Sequence, residues 1–141
     1  MKMKFGHVAI RIKDLDKMLD FYCDKLGLDE AFRINNEDGT LRIVYIHISD
    51  FQYLELCLGG NKRNDFDDKN DQGVRHISFT VDNINETRKD LEQKRVKFET
   101  EILKLRDNNL TMFLFDPEGN KIEIVETQKD SPHFLFENRI K

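Results

Sequence analysis

The second half of this chain repeats the residue pattern of the first half, and this repetition limits the available folds more than any other feature. The segment HVAIRIKDLDKMLDFY at 7–22 aligns with HISFTVDNINETRKDL at 76–91. The alignment pairs His7 with His76, which lie 69 positions apart, and it matches apolar positions in both segments. Repetition at one offset is typical of an internal duplication. The sequence therefore predicts two copies of one structural module.

The first module, at about 5–58, is predicted to have the order βαβββ. Residues 5–12 alternate between apolar and other side chains, as a half-buried strand does. The apolar period becomes helical over 15–26, with Asp16 placed to cap the helix and Gly27 placed to end it. Three further strands are predicted near 30–35, 41–48 and 52–58, with a hairpin turn at 35–39.

The same order of elements returns after a polar, glycine-bounded connector at 59–73. The second module, at about 74–127, has a predicted strand at 74–81 and a helix near 85–95 that Asn85 is placed to open. Its other strands are predicted near 97–102, 110–115 and 121–126, and residues 128–141 form a polar tail. A length of 141 residues suits one domain, so residues 1–141 are predicted to form a single α+β domain.

Composition and charge exclude several classes of function. The chain carries 23 basic and 27 acidic residues without a basic block, so nucleic acid is not an expected partner. Neither a signal peptide nor a run of 18 apolar residues is present, and we expect no membrane partner and a cytoplasmic location. Cys23 and Cys57 fall on different predicted elements, so both are expected to be reduced packing residues.

Two glutamates repeat with nearly the same offset as the histidines. In QYLELCL the leucines form the apolar phase, which leaves Glu55 on the opposite face of the strand. In KIEIVE the isoleucines form the apolar phase and leave Glu123 opposite. Glu55 and Glu123 lie 68 positions apart. Each module thus contributes a histidine from its first strand and a glutamate from its last strand, on the sheet face turned away from the helix.

Two imidazoles and two carboxylates suit a divalent transition metal such as Zn²⁺, Ni²⁺, Co²⁺, Mn²⁺ or Fe²⁺. A buried carboxylate without a partner costs several kcal/mol, and a metal would explain why glutamate stands among leucines and isoleucines. The alternative is that each of these side chains is exposed or ion-paired on an open sheet face. The phased repetition of four residues favours one metal held by His7, Glu55, His76 and Glu123.

With these residues the chain resembles the vicinal oxygen chelate superfamily, which includes glyoxalase I, methylmalonyl-CoA epimerase, extradiol dioxygenases and the fosfomycin- and bleomycin-resistance proteins. The resemblance covers about residues 5–127. Its carriers are HVAIRIKDLDKMLDFYCDKLGL, YLEL, GVRHISFTVDNI and FLFDPEGNKIEIVE. It implies two βαβββ modules forming a cupped mixed sheet around a metal, with the two histidines and two glutamates on the ligand positions. It also implies a homodimer, since such module pairs commonly bury their sheet edges against another chain.

The ligand set is similar to that of bacterial glyoxalase I, which implies a lyase or isomerase acting through an enediolate on a small oxygen-chelating substrate. The resemblance implies Glu123 as the base, with Glu55 as the second choice. Arg11 stands where glyoxalase I has an arginine for a glutathione carboxylate. Gly59 replaces the asparagine expected four residues after Glu55, which leaves the use of glutathione open.

Two other assignments of function stay open at this point. A CoA-thioester epimerase uses the same enolate chemistry, and a drug-binding resistance protein of the same fold binds its ligand without catalysis. His47 shares the sheet face of the predicted ligands and is either a substrate contact or a solvated histidine. The DPEGN turn at 116–120 is predicted to position the strand that carries Glu123.

Overall fold

The computed structural model of the chain describes residues 1–63 and 69–139. The chain divides into two compact units, Met1–Gln72 and Gly73–Lys141. The boundary falls inside the predicted connector at 59–73, whose central residues 64–68 lie outside the described residues, as do the last two residues of the predicted tail.

The first unit is a four-stranded sheet with one helical segment. Its elements are β1 (His7–Arg11), α1 (Leu15–Leu19), which continues as a π-helix over Asp20–Lys25, β2 (Asp29–Asn35), β3 (Leu41–Ser49) and β4 (Gln52–Cys57). The strand order is β1-β4-β3-β2, with β1 parallel to β4 and the other pairs antiparallel. This parallel pairing brings the first and last strands of the module side by side.

The second unit has the same topology. Its elements are β5 (Ile77–Thr80), α2 (Ile84–Gln93), β6 (Leu103–Lys104), β7 (Leu110–Phe115), β8 (Lys121–Glu126) and α3 (Pro132–Asn138). The strand order is β5-β8-β7-β6, and β5 runs parallel to β8. The predicted α+β class and the duplicated βαβββ order are confirmed.

The apolar strand faces that the alternation predicts form the core of each unit. In β3 and β4 the buried apolar side chains are Val44, Ile46, Leu54 and Leu56, and α1 and its π-helical continuation add Met18, Phe21 and Tyr22. In the second unit Met112, Leu114, Ile122 and Ile124 are buried together with Ile84 and Leu91 of α2. Glu55 and Glu123 therefore lie on strands that are fixed by buried neighbours on both sides along the chain.

Both predicted helix caps are wrong by two residues. The side chain of Asp14 accepts a hydrogen bond from the Lys17 amide at 3.1 Å, so Asp14 is the cap and Asp16 lies in the first turn. In α2 the cap is Asn83, which accepts from the Glu86 amide at 3.0 Å. A cap needs extended backbone just before the helix. α1 begins at Leu15, as predicted, so its cap must precede Leu15, and α2 begins at Ile84, one residue earlier than predicted.

Two other segments differ from their predictions. The strand expected at 97–102 is reduced to a single bridge between Phe98 and Leu114, because the Thr100 hydroxyl accepts the hydrogen bond of the Phe113 amide at 3.1 Å. The predicted polar tail contains α3, which is capped by Ser131 and has a proline in its first turn. A helix of seven residues is too short for its periodicity to stand out. In the described part of the chain, every helix lacks the length and apolarity needed to cross a membrane.

Candidate functional site

The first unit places His7 beside Glu55. Because β1 and β4 are parallel neighbours, Ala9 lies opposite Glu55 and the side chain of His7 reaches the glutamate from two residues away. His7 Nε2 lies 2.6 Å from Glu55 Oε2. Glu55 is buried, at 6% exposure, whereas the His7 imidazole is 57% exposed. The predicted pair is therefore an accessible imidazole against a buried carboxylate.

The contact between these two atoms is close but is not an aligned hydrogen bond. Glu55 Oε2 is the one buried side-chain oxygen or nitrogen within residues 1–63 and 69–139 that has no hydrogen-bond partner of suitable geometry. An imidazole nitrogen and a carboxylate oxygen both carry lone pairs, so at 2.6 Å they need a proton or a shared cation between them. A cation held by His7 and Glu55 would satisfy the buried oxygen without requiring a linear N–H···O arrangement.

Tyr45 of β3 completes the surroundings of Glu55. It lies directly opposite Glu55 in the antiparallel register, so both side chains leave the same face of the sheet. Partial burial raises the pKa of Tyr45, and the neighbouring Glu55 carboxylate raises it further, so the phenol stays protonated. The ring stacks on Phe32, with 4.3 Å between centroids, and meets the edge of Tyr53 at 6.0 Å.

The second unit forms a corresponding pair. His76 directly precedes β5, and its Nε2 lies 2.8 Å from Glu123 Oε2. The side chains are 40% and 16% exposed, so Glu123 is more accessible than Glu55. The Thr111 hydroxyl lies 3.2 Å from Glu123 Oε1 and 3.1 Å from the Ile124 carbonyl oxygen. A hydroxyl has one proton to donate, so Thr111 divides its donation between the two acceptors.

The DPEGN turn leads into β8 as predicted. The Asp116 side chain is buried and accepts hydrogen bonds from the Glu118 amide at 3.0 Å, from the Asn120 amide at 2.9 Å and from Asn120 Nδ2 at 2.8 Å. Gly119 has a φ of 83°, which glycine adopts without a steric penalty. The turn therefore sets where β8 begins, at Lys121, two residues before Glu123.

Arg11 and His47 lie in the first unit. Their contact with the substrate stays a prediction. Arg11 donates a hydrogen bond to the Leu58 carbonyl oxygen at 2.6 Å, which ties its guanidinium to the end of β4. The His47 ring lies 5.7 Å from that of Tyr53 and thus belongs to the aromatic cluster beside Glu55. Tyr45 was not singled out from the sequence, although it shares the strand phase of His47. Thr111 was missed as well, since a threonine in a strand is not a distinctive signal.

The predicted ligands are thus assembled as two pairs. In the residues that the structure describes, no group of three or more His, Cys, Asp or Glu side chains is arranged to hold a metal ion. The joining of the two pairs around one ion stays a prediction.

Comparison with known proteins identifies the family. The family model of the Glyoxalase/Bleomycin resistance protein/Dioxygenase superfamily matches residues 4–124. The chain belongs to this superfamily. The resemblance inferred from the motifs and the predicted fold class are confirmed by this match and by structural neighbours of the glyoxalase family.

Within the superfamily, the chain is similar to enzymes of two activities. A probable lactoylglutathione lyase of Synechocystis is 31% identical over 127 residues, covering 86% of this chain and 93% of that protein. The human mitochondrial methylmalonyl-CoA epimerase is 27% identical, covering 89% of this chain and 73% of the relative. The lactoylglutathione lyase of Schizosaccharomyces pombe is 27% identical over 96% of this chain, but the chain spans only 51% of that protein's length.

The fold is also that of solved superfamily members. The crystal structure of a glyoxalase family protein from Enterococcus faecalis has a TM-score of 0.72 and 22% identity, and the match covers 87% of this chain and 97% of that one. At this identity the likeness concerns the fold.

Proposed function

We propose that the chain is a metal-dependent lyase or isomerase of the glyoxalase I type, acting through an enediolate on a small oxygen-chelating substrate. The observation that carries this proposal is the repeated histidine–glutamate contact, at 2.6 Å in the first unit and 2.8 Å in the second. Similarity to lactoylglutathione lyases supports the type of reaction.

The donor set fits one divalent metal bound by His7, Glu55, His76 and Glu123. Imidazole nitrogens and carboxylate oxygens are ligands of Ni²⁺, Zn²⁺, Co²⁺, Mn²⁺ and Fe²⁺, and superfamily members generally use such an ion. The buried, unaligned Glu55 Oε2 supports the fit, because a cation would satisfy it. When bound, the metal would supply a Lewis acid for two neighbouring substrate oxygens.

The protein's own part in the reaction is proton transfer between adjacent carbons of the substrate. We assign this role to the Glu123 carboxylate, which would remove a proton from one carbon, hold it and deliver it to the next. Glu123 is the better exposed of the two glutamates and shares the hydroxyl of Thr111 with a backbone carbonyl. Glu55 is more deeply buried, so it is the second choice.

A second candidate function is epimerisation of a CoA thioester. It is supported by the similarity to methylmalonyl-CoA epimerases, which covers 89% of the chain. Both reactions begin with removal of a proton beside a carbonyl group, so the proposed roles of the four ligands are the same. Assays of lactoylglutathione formation and of methylmalonyl-CoA epimerisation on one preparation would distinguish the two substrates.

The metal assignment is tested by elemental analysis of protein purified without chelators. We expect about one divalent metal per set of four ligands in the wild type and none in the variant with both His7→Ala and His76→Ala. His133→Ala is the matched control, since His133 is exposed and bonded to Asn109 in the second unit. Stoichiometric metal in the double variant would reject the ligand assignment.

A further inference from the structure

We propose that Thr111 is a positioning residue that holds the Glu123 carboxylate by one oxygen and leaves the other oxygen facing His76. The inference rests on the proposed function, because it assumes that His76 and Glu123 are metal ligands. It adds a residue that acts through Glu123 and does not itself touch the metal or the substrate.

The register of β7 and β8 places Thr111 beside Glu123. Thr111 lies opposite Val125, two residues after Glu123, so the side chains of Thr111 and Glu123 leave the same face of the sheet at diagonal positions. The alternate side chains of both strands face the core, where Met112 and Ile124 are buried. The hydroxyl of Thr111 therefore lies on the face that carries the glutamate, and its oxygen is 3.2 Å from Glu123 Oε1.

The two oxygens of Glu123 have different partners. Oε1 lies 3.2 Å from the Thr111 hydroxyl, and Oε2 lies 2.8 Å from His76 Nε2. The terminal torsion of a glutamate is broad, so its position in the strand does not fix the plane of the carboxylate. A hydrogen bond to Oε1 favours the rotation in which Oε2 faces the imidazole. Hydrogen-bonded partners of this kind orient metal ligands in many proteins.

Thr111 is itself held in place. Its side chain is branched at Cβ, which restricts its first torsion, and the residue is only 1% exposed. Its hydroxyl also lies 3.1 Å from the Ile124 carbonyl oxygen, so two acceptors at nearly equal distance compete for one proton. A hydrogen bond to an ionised carboxylate is stronger than one to a neutral carbonyl group. The negative charge of Glu123 therefore favours donation from Thr111 to the carboxylate.

The first unit shows what this position requires for packing alone. Ile43 lies opposite Cys57, which follows Glu55 by two residues. It thus occupies the place in β3 that Thr111 occupies in β7. An apolar side chain branched at Cβ therefore fits this position of the module. Since the module does not need a hydroxyl there to fold, the comparison points to the Glu123 carboxylate as the group on which the hydroxyl acts.

The test compares metal affinity in three variants of the full chain. Thr111→Val keeps the branched shape and removes the hydroxyl, whereas Thr111→Ser keeps the hydroxyl and removes the buried methyl group. Thr87→Val is the matched control, because the Thr87 hydroxyl donates to the backbone carbonyl of Asn83 at 2.8 Å, at the start of α2. Metal-free protein is titrated with Zn²⁺ and Co²⁺ against a competing chelator. The visible spectrum of bound Co²⁺ and the Tm of the metal-free protein are recorded as well.

We expect Zn²⁺ and Co²⁺ binding to weaken by roughly 10- to 100-fold in Thr111→Val, with an altered Co²⁺ spectrum. Thr111→Ser should stay within about threefold of the wild-type affinity, although loss of the buried methyl group lowers its Tm. Thr87→Val should bind both metals as the wild type does. Affinity would then follow the hydroxyl near Glu123 and not the stability of the protein, a result that a role in packing alone would not produce.

Wild-type affinity and an unchanged Co²⁺ spectrum in Thr111→Val would overturn the role of Thr111, and so would equal losses in Thr111→Val and Thr111→Ser. If Thr111→Val does not fold, Thr111→Ala is compared with Thr111→Ser, from which it differs only by the hydroxyl, and equal affinities of these two variants would overturn the role. In each of these outcomes, metal bound by the wild type leaves the proposed function in place. Failure of the wild type to bind either metal would overturn the proposed function together with the role of Thr111.

Discussion

Glu55 and Glu123 occupy equivalent positions in their sheets, yet their surroundings differ. The Glu55 side chain is 8% exposed and lies opposite Tyr45, whereas the Glu123 side chain is 16% exposed and lies within hydrogen-bonding distance of the Thr111 hydroxyl. A carboxylate that is more exposed is better suited to accept and return a proton. The duplication thus places two glutamates in equivalent positions, and under the proposed function their different exposure favours Glu123 as the base.

The first prediction concerns the base. Glu123→Gln keeps the side-chain volume and an oxygen for the metal and for Thr111, but it loses basicity. We expect metal content to be retained and proton exchange at the substrate carbon to fall by roughly 10²- to 10⁴-fold. Deuterium wash-in from D₂O, followed by NMR in the wild type and the variant, measures this. Near-normal exchange in the variant, together with loss in Glu55→Gln, would assign the base to Glu55 instead.

At the scale of elements, short polar contacts determine where strands and helices begin. Asp116 is buried in the turn before β8 and accepts three hydrogen bonds, whereas Asp38 in the turn before β3 is exposed and accepts from the amide and hydroxyl of Thr40. The hydrogen bonds of Thr40 lower the pKa of Asp38. In both turns an aspartate side chain accepts the hydrogen bonds, but only the Asp116 side chain is buried.

We therefore predict that Asp116→Ala is strongly destabilising. The change leaves amide donors without an acceptor in a buried turn, and the free energy of unfolding should fall by about 2–4 kcal/mol. Denaturant unfolding followed by circular dichroism measures the loss. Asp38→Ala is the control, and we expect a clearly smaller effect because water replaces the lost acceptor at an exposed site. Equal losses of stability in Asp116→Ala and Asp38→Ala would contradict the claim that burial of the turn causes the larger loss.

The cap of α2 gives a second prediction at this scale. Asn83→Ala removes the acceptor of the Glu86 amide and should lower the free energy of unfolding by roughly 0.5–2 kcal/mol. Asn85 lies on the exposed surface of the helix, so Asn85→Ala should change stability by less than about 0.5 kcal/mol. The same unfolding experiment compares the two variants. A larger loss in Asn85→Ala would restore the cap position indicated by the periodicity.

At the scale of the whole molecule, the open edges of the two sheets favour association. In the first unit β2 is an outer strand, every residue of it is exposed, and Phe32 and Ile34 are 44% and 43% exposed. An exposed apolar edge strand invites pairing unless another surface covers it. We predict a homodimer of the 16.8 kDa chain, to be checked by sedimentation velocity at micromolar concentration. A single monomeric species across that range would rule it out. The cytoplasmic location likewise stays a prediction.

The amino-acid sequence by itself determined the fold class, the duplication and the strand faces that carry one histidine and one glutamate in each module. These features follow from local periods. Alternate side chains of a strand share one face, so the sequence assigns His7 and Glu55 to a face of their strands wherever the strands lie in the fold. Tertiary structure alone decided which atoms meet. The contacts of Tyr45 and Thr111 with the two glutamates depend on the register between strands that are distant in sequence. Register results from many weak contacts across the sheet and the core, and no single segment of the sequence contains them.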